Sequence, residues 1–188
     1  MIPPAGSPRP RVSTGGPDSE ASPAGLIETL SRRLLSGHSA TAILEAWCVE
    51  RGLSGPAIVA ERVDGADRAL DEDRQRLFQL APGETLRYRR VRLSCGPHTL
   101  SEADNWYVPA RLTREMNRLL DATQLPFGRV VHPLAPTRRN LDLRLLWSEG
   151  TLGPDDALFA IEALLSTPDG IPFCEVHETY LGAVLDGR

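Results

Sequence analysis

An arginine and a glutamate fall on the apolar faces of two predicted strands, and together they could bind a carboxylate and move a proton. Side chains alternate between the two faces of a strand, so Arg89 shares a face with Val91 and Leu93. The same alternation near the C-terminus places Glu178 on a face with Val176. A guanidinium is costly to bury without an anionic partner. Arg89 therefore predicts a carboxylate nearby, either in the protein or on a ligand.

The pattern leaves two interpretations of this pair open. Arg89 and Glu178 could form a buried structural ion pair or lie at a wet sheet edge. Alternatively, they could face a concave apolar site in which the arginine orients a carboxylate and the glutamate transfers a proton. A site of this kind suits a small aromatic or cyclic carboxylic acid, and this is the partner that we predict.

The sequence lacks the common motifs for phosphate, metal and nucleophile chemistry. It contains no P-loop, no dinucleotide-binding glycine fingerprint, no HExxH and no GxSxG. The 4 histidines are scattered, and the 3 cysteines have no CxxC spacing. We therefore name no metal ligand and predict no cofactor, and we expect the cysteines to be reduced, buried thiols.

Composition limits the classes of protein to which the chain can belong. It has 188 residues, with 21 basic and 25 acidic side chains and no separate basic block, so we predict no nucleic-acid partner. It has no signal-peptide pattern and no apolar run that could span a bilayer, which predicts a cytoplasmic protein without a membrane partner. Residues 1–23, rich in Pro, Gly and Ser, are predicted to be a disordered leader, and residues 24–188 a single domain.

Periodicity and capping predict the elements that position Arg89 and Glu178. Helices are predicted over residues 26–37, 39–52 and 113–123. Strands are predicted over residues 57–63, 76–80, 141–147 and 173–181, with a hairpin over 87–108 whose turn lies at 95–98. Residues 155–165 fit either a helix or a strand, and the strand is favoured. Because strands and helices do not alternate regularly, the predicted class is α+β with a mainly antiparallel sheet.

Five short motifs, in order and at comparable spacing, resemble those of the chorismate lyase (chorismate-pyruvate lyase) family. They are Ser39-Ala40-Thr41, Arg89-Arg90-Val91-Arg92-Leu93, Pro126-Phe127-Gly128-Arg129, Thr137-Arg138 and Glu178-Thr179-Tyr180-Leu181. The resemblance extends over most of the chain after the leader. It implies a single antiparallel sheet of about six strands with helices packed on it, and a ligand enclosed near the N-terminal helices.

The resemblance also implies an activity, the elimination of pyruvate from chorismate to give a hydroxybenzoate, with 4-hydroxybenzoate as the expected isomer. In that family the strand arginine holds a substrate carboxylate and the C-terminal glutamate lies at the ring, which would make Arg89 and Glu178 catalytic. Arg138 or Asn105 would hold the second carboxylate, although the family has an arginine where this chain has Asn105. The other substrate-binding residues that it implies are Ser39, Ala40, Thr41, Phe127, Gly128 and Tyr180.

Two further interpretations remain open beside the lyase. The effector domains of GntR-type transcription regulators share the chorismate lyase-like fold and bind small molecules without catalysis, so the chain could be a non-catalytic binding protein for an aromatic acid. In a structural protein, Arg89 and Glu178 would pair with each other, and side chains would fill the predicted pocket. The sequence does not decide the oligomeric state.

Overall fold

In the part of the chain that the structure describes, six antiparallel strands form one sheet, which confirms the predicted α+β class. The computed structural model of the chain describes residues 22–37, 39–53, 55 and 57–187, so residues 1–21 of the predicted leader lie outside the described residues. In sheet order, the strands are β1 (Val59–Arg62), β2 (Arg87–Cys95), β3 (His98–Tyr107), β6 (Pro172–Leu181), β5 (Ala157–Ser166) and β4 (Thr137–Leu145).

Helices precede the sheet and connect its strands. They are α1 (Pro23–Ser36), α2 (Ala40–Arg51), α3 (Glu72–Arg76), α4 (Arg114–Ala122) and α5 (Phe127–Val131), with single 3-10 turns at Pro109–Arg111, His132–Leu134 and Gly182–Leu185. Within the part of the chain that the structure describes, no helix is both long enough and apolar enough to cross a membrane.

Local signals explain where the long helices begin and end. The Ser39 hydroxyl accepts a hydrogen bond from the Ala42 amide at 3.3 Å, and this cap begins α2. The Thr113 hydroxyl accepts from the Met116 amide at 3.1 Å and begins α4 in the same way. Helix α2 ends at Gly52, whose φ of 69° lies in the left-handed region that glycine adopts without steric cost. These helices and the hairpin of β2 and β3 agree with the predictions.

The two faces of the sheet carry different layers. One face, called the inner face here, carries Val91 and Leu93 and packs against α1 and α2. Arg89 is buried on the inner face with them, as strand alternation predicts. On the opposite, outer face, Trp106 packs with Phe78 from the segment that connects β1 to β2. Both faces of the sheet are therefore largely covered.

The register of the sheet sets the distance between the polar residues of the inner face. Arg89 on β2 lies opposite Asn105 on β3, and Asn105 lies opposite Val176 on β6. In the adjacent row, Ala103 on β3 lies opposite Glu178 on β6. Strand β3 thus separates the strand of Arg89 from the strand of Glu178.

The prediction of a strand over residues 76–80 is wrong. The Asp71 carboxylate accepts a hydrogen bond from the Arg74 amide at 2.9 Å and starts the short helix α3, which the acidic residues of its first turn also favour. After the helix the chain turns, and Gln79 has a positive φ of 46°. The apolar side chain of Phe78 is buried against the outer face, so its burial reflects a loop anchored on the sheet.

The predictions for the last strands are correct in type and differ at the ends. Residues 157–166 form β5, which resolves the ambiguity between helix and strand. Strand β4 begins at Thr137, four residues before the predicted start, and ends at Leu145. A bulge between Asn140 and Asp142 shifts the alternation of β4 and hides its first half from pattern analysis.

Arg111 connects the segment on the outer face to β6. Its guanidinium donates to the Glu84 carboxylate at 2.5 and 2.9 Å. It also donates to the carbonyl oxygens of Phe78 at 2.8 Å and Pro172 at 2.5 Å. The hydrogen bonds from Arg111 to Glu84 lower the pKa of this carboxyl group from 4.5 to about 2.

We expect the stabilisation by Glu84 to be lost in acid. Because its pKa in the folded state lies below the value of 4.5 of an unfolded chain, the ionised group stabilises the fold fully above about pH 5, and this contribution disappears as the pH falls through about 2. Urea unfolding of Glu84→Gln should show lower stability than wild type at neutral pH and no difference near the acid limit. Glu149→Gln, a change at an exposed position, serves as the control. A difference in stability between Glu84→Gln and wild type that does not change with pH would contradict the prediction.

Candidate functional site

A cavity of about 390 Å³ lies on the inner face of the sheet, between the strands and the N-terminal ends of α2 and α5. Its apolar wall consists of Val91, Leu93, Ala103, Phe127, Val131, Leu165 and Val176. Its polar lining includes Ser39, Thr41, Asn105, His132, Arg138 and Glu178. A mostly apolar cavity of this size with few polar groups is typical of a site for a small organic molecule.

Arg138 and Glu178 form a buried ion pair in the cavity wall. Arg138 Nη2 donates to Glu178 Oε2 at 2.7 Å, and the two side chains are only 4% and 7% exposed. Burial alone would lower the pKa of Arg138, but the charge of Glu178 outweighs this effect and raises the pKa above its ordinary value. The structural interpretation of the sequence predicted an ion pair between Glu178 and Arg89. This pairing is wrong, because the partner of Glu178 is Arg138.

Two neighbours hold this ion pair in place from behind. The Tyr180 hydroxyl donates to Glu178 Oε2 at 3.1 Å, and burial, with the nearby charge of Glu178, raises the pKa of Tyr180 well above its ordinary value. Asn140 accepts from Arg138 Nε at 3.1 Å and donates to the Leu35 carbonyl in α1 at 2.8 Å. The cavity wall is thereby connected to the first helix.

Arg89 is buried and makes no ion pair with any residue that the structure describes. It is 3% exposed, and its Nε and Nη1 have no hydrogen-bond partner among the described residues. Burial lowers the pKa of Arg89 from its ordinary value. Arg89 does not line the cavity itself, but Asn105, directly opposite on β3, does. The side-chain amide of Asn105 makes only a long contact of 3.5 Å with the Arg89 carbonyl.

The two arginines lie at the same end of the inner face. Burial raises the pKa of the Cys174 thiol well above its ordinary value, and the charges of Arg138 and Arg89 both act in the opposite direction. The register agrees with this, because Arg89 is in line with Val176 of β6 through Asn105, and Arg138 is in line with Cys174, two residues away, through Leu165. Glu178 pairs with Arg138, whereas the carboxylate that acts on Arg89, Asp121, is itself paired with Arg87 at 2.8 Å.

The structure brings most of the residues implied by the family resemblance to one place. Ser39, Ala40, Thr41, Phe127 and Gly128 line the cavity, with Asn105, Arg138 and Glu178. A Cβ on Gly128 would lie 3.0 Å from Thr41 Oγ1, so glycine permits the close approach of α5 to α2. Tyr180 was expected in the wall but lies behind it, where its ring stacks on Phe159 at 4.7 Å.

Sequence analysis missed α5 and the residues that follow it. Val131 and His132 line the cavity, but the segment was not predicted to be a helix. The available signal was the spacing of Phe127, Val130 and Val131 directly after Pro126, which places three apolar side chains on one side of a helical turn. Asn140 was missed because the predicted strand began after it.

A second polar cluster lies on the outer face. Oxygen and nitrogen atoms of Glu162, Glu175 and His177 that could coordinate a metal lie within 4.8 Å of one another. A divalent metal could use such a set. Arg74 already pairs with Glu162 at 2.5 Å and with Glu175 at 3.2 Å. Arg144 pairs with Glu162 as well, at 2.8 Å. Positive side chains thus hold the two carboxylates, so the cluster is an ion-pair network that anchors α3 to the sheet.

Comparison with solved structures finds chains that are similar in fold, an effector domain and a ligand-binding domain among them. The effector domain of PhnF from Mycobacterium smegmatis superposes with a TM-score of 0.50 and 14% identity, over 77% of this chain and 89% of that domain. The ligand-binding domain of a putative GntR-family transcriptional regulator from Bordetella bronchiseptica gives 0.48 and 18%, over 68% and 85%. At these identities the likeness concerns the fold alone.

No family model matches the sequence. The chain is 43% identical over 190 residues to the uncharacterized protein y4mC of Sinorhizobium fredii (strain NBRC 101917 / NGR234), with 92% of this chain and 80% of that protein covered. The chain therefore belongs to the same family as y4mC.

Proposed function

We propose that this chain binds a small aromatic or cyclic carboxylic acid in the inner-face cavity. The observation that carries the proposal is the buried guanidinium of Arg89, whose Nε and Nη1 have no partner in the described part of the chain. A buried charge without a counter-ion costs several kcal/mol, and a bound carboxylate would remove most of that cost. The apolar wall of the cavity would accommodate the ring.

The charge balance favours a ligand with one carboxylate. Glu178 neutralises Arg138 and Asp121 neutralises Arg87, whereas Arg89 makes no ion pair among the described residues, which leaves one positive charge for the ligand to neutralise. A benzoate-like monoanion meets this requirement. A dianion such as chorismate would leave one negative charge without a partner.

Asn105 would connect the ligand to Arg89. It lines the cavity and lies opposite Arg89 in the strand pair. Its side-chain amide makes a long contact of 3.5 Å with the Arg89 carbonyl. Because Arg89 itself does not line the cavity, binding requires one of these two side chains to change rotamer so that the carboxylate reaches the guanidinium. A rotamer change of this kind is common when a ligand binds.

Chorismate-pyruvate lyase is the second candidate function, and the position of Glu178 favours it. This carboxylate lies in the apolar wall, where Arg138 and Tyr180 fix its orientation. In the reaction, the bond between the ring carbon and the ether oxygen breaks, a ring hydrogen leaves as a proton, and the methylene of the released enolpyruvate gains a proton to give pyruvate. Glu178 would carry the proton. Aromatisation drives this step, so the scheme uses no cofactor.

Calorimetry with matched ligands tests the binding proposal. Benzoate and 4-hydroxybenzoate should bind the full chain saturably and raise its Tm, because each supplies a carboxylate for Arg89. Benzamide has the same ring without the charge and should bind at least about 10-fold more weakly. If the acids do not bind, or if benzamide binds equally well, the proposal is wrong.

Incubation with chorismate separates the two candidates. Release of pyruvate with an equal amount of hydroxybenzoate would establish the lyase, and Glu178→Gln should then lose activity. If the protein binds benzoate but releases no pyruvate, it is a binding protein on this fold. Chromatography of the aromatic product identifies which isomer forms.

A further inference from the structure

Strand β4 forms an open edge of the sheet that carries exposed apolar side chains. Among the described residues it pairs only with β5, so within this part of the chain its other side offers free backbone donors and acceptors. Leu143, Leu145 and the following Leu146 are 37%, 68% and 51% exposed. The opposite edge, β1, is only 4 residues long and ends with the exposed Glu61 and Arg62. An open edge with apolar side chains is a template for pairing with another strand, and short charged edges are not.

We propose that β4 pairs with β4 of a second copy of this chain, antiparallel and around a two-fold axis at Leu143. The two six-stranded sheets would then form one continuous sheet across a symmetric dimer. The proposal is independent of the function proposed for the cavity, because it uses the edge of the sheet and not the groups that would hold the ligand.

The regular part of β4 defines which residues can lie at the axis. The bulge between Asn140 and Asp142 limits regular pairing to the four residues from Asp142 to Leu145. Directly opposite residues of an antiparallel pair have their side chains on the same face. Each symmetric register is therefore centred on one residue, which lies opposite itself.

Charge complementarity selects one of these registers. A centre at Asp142 places two aspartates opposite each other, and a centre at Arg144 places two arginines opposite each other, and both are repulsive. If the axis lies at Leu145, no charged side chain lies opposite a side chain of opposite charge. A centre at Leu143 sets Asp142 of each copy opposite Arg144 of the other and brings the two Leu143 side chains together. This register alone satisfies both the charges and the apolar side chains.

The side chains of this register are accessible to a partner. Arg144 and Asp142 are 57% and 46% exposed and lie 3.5 Å apart within their own strand. Exposed ion pairs contribute at most about 1 kcal/mol each, so the charges set the register. The affinity would come from the backbone hydrogen bonds and from burial of the leucines.

Charge reversal tests the dimer. By sedimentation velocity, the wild-type chain should be a dimer. Asp142→Arg and Arg144→Asp should each weaken self-association by at least about 10-fold, because like charges then lie opposite each other on both sides of the axis. An equimolar mixture of the two variants should form a heterodimer, since both cross-strand contacts again join unlike charges. Arg118→Asp, at a 61% exposed position in α4, is the control and should leave the dimer unchanged.

A cross-linking experiment covers the case in which Arg144→Asp disturbs its contact with Glu162. Leu143→Cys should form a disulfide between copies under mild oxidation, whereas Leu146→Cys, three residues from the axis, should not. The native Cys48, Cys95 and Cys174 are buried. A wild type that stays monomeric, a mixture of charge variants that stays monomeric, or cross-linking at 146 but not at 143 would overturn the proposal.

Discussion

Replacing Arg89 with methionine is expected to stabilise the ligand-free protein and to remove most of its affinity for benzoate. The guanidinium is 3% exposed, and its Nε and Nη1 have no partner among the described residues, so methionine removes an unpaired buried charge and retains much of the apolar volume. We expect the free energy of unfolding to rise by about 1–3 kcal/mol. The affinity for benzoate should fall at least about 30-fold, or about 2 kcal/mol, because the charged partner of the carboxylate is lost.

The neighbouring arginine provides a matched control. Arg90 lies next to Arg89 on β2, points to the other face and is held by Glu102 at 2.5 Å. Arg90→Met should leave the affinity for benzoate unchanged and should not increase stability. Urea unfolding and calorimetry on both variants provide the measurements.

The expected effects of Arg89→Met on stability and on binding can each be contradicted separately. If Arg89→Met destabilises the protein by more than about 1 kcal/mol, the guanidinium has a structural role. If the variant is more stable but binds benzoate as wild type does, Arg89 is not the carboxylate partner. The combination of higher stability and lost binding is typical of a residue that is kept for function at a cost in stability.

Breaking the Arg138–Glu178 pair is expected to have the opposite effect on stability. Both side chains are nearly inaccessible, at 4% and 7% exposed. Removal of one partner leaves the other as an uncompensated buried charge, so Arg138→Met and Glu178→Leu should each lower the free energy of unfolding by about 3–5 kcal/mol. The double variant removes both charges together and should lose at most about 1 kcal/mol.

An exposed ion pair gives the reference for this experiment. Glu28 and Arg32 on α1 are 73% and 67% exposed, so Glu28→Gln should change stability by less than about 0.5 kcal/mol. Urea unfolding of the four variants and the wild type gives the coupling energy of the buried pair. Losses below about 1 kcal/mol in both single variants, or a double variant that loses their sum, would show that the pair is not a buried structural unit.

The two arginines therefore have different expected roles in one site. Arg138 is paired with Glu178, and Asn140 on β4 and Tyr180 on β6 support this pair. Arg89 is buried with no such support among the described residues. A change at Arg138 tests the wall of the cavity, and a change at Arg89 tests the proposed ligand.

The sequence alone determined the local features of this protein. Ser39 and Thr113 begin helices because a side-chain hydroxyl accepts from an amide three residues later, a contact that depends only on nearby residues. The faces of Arg89 and Glu178 follow from strand alternation, which is equally local. The α+β class follows from the order of these elements along the chain.

The tertiary structure decided which of these residues meet. Glu178 pairs with Arg138 and not with Arg89. Strand β5 lies between β4 and β6, and a bulge in β4 turns Arg138 inward, where its long side chain reaches Glu178. The burial of Glu175 on the outer face and its contact with Arg74 depend on a loop that crosses the sheet. Contacts between distant segments depend on strand order and register, and neither is encoded in the periodicity of a single strand.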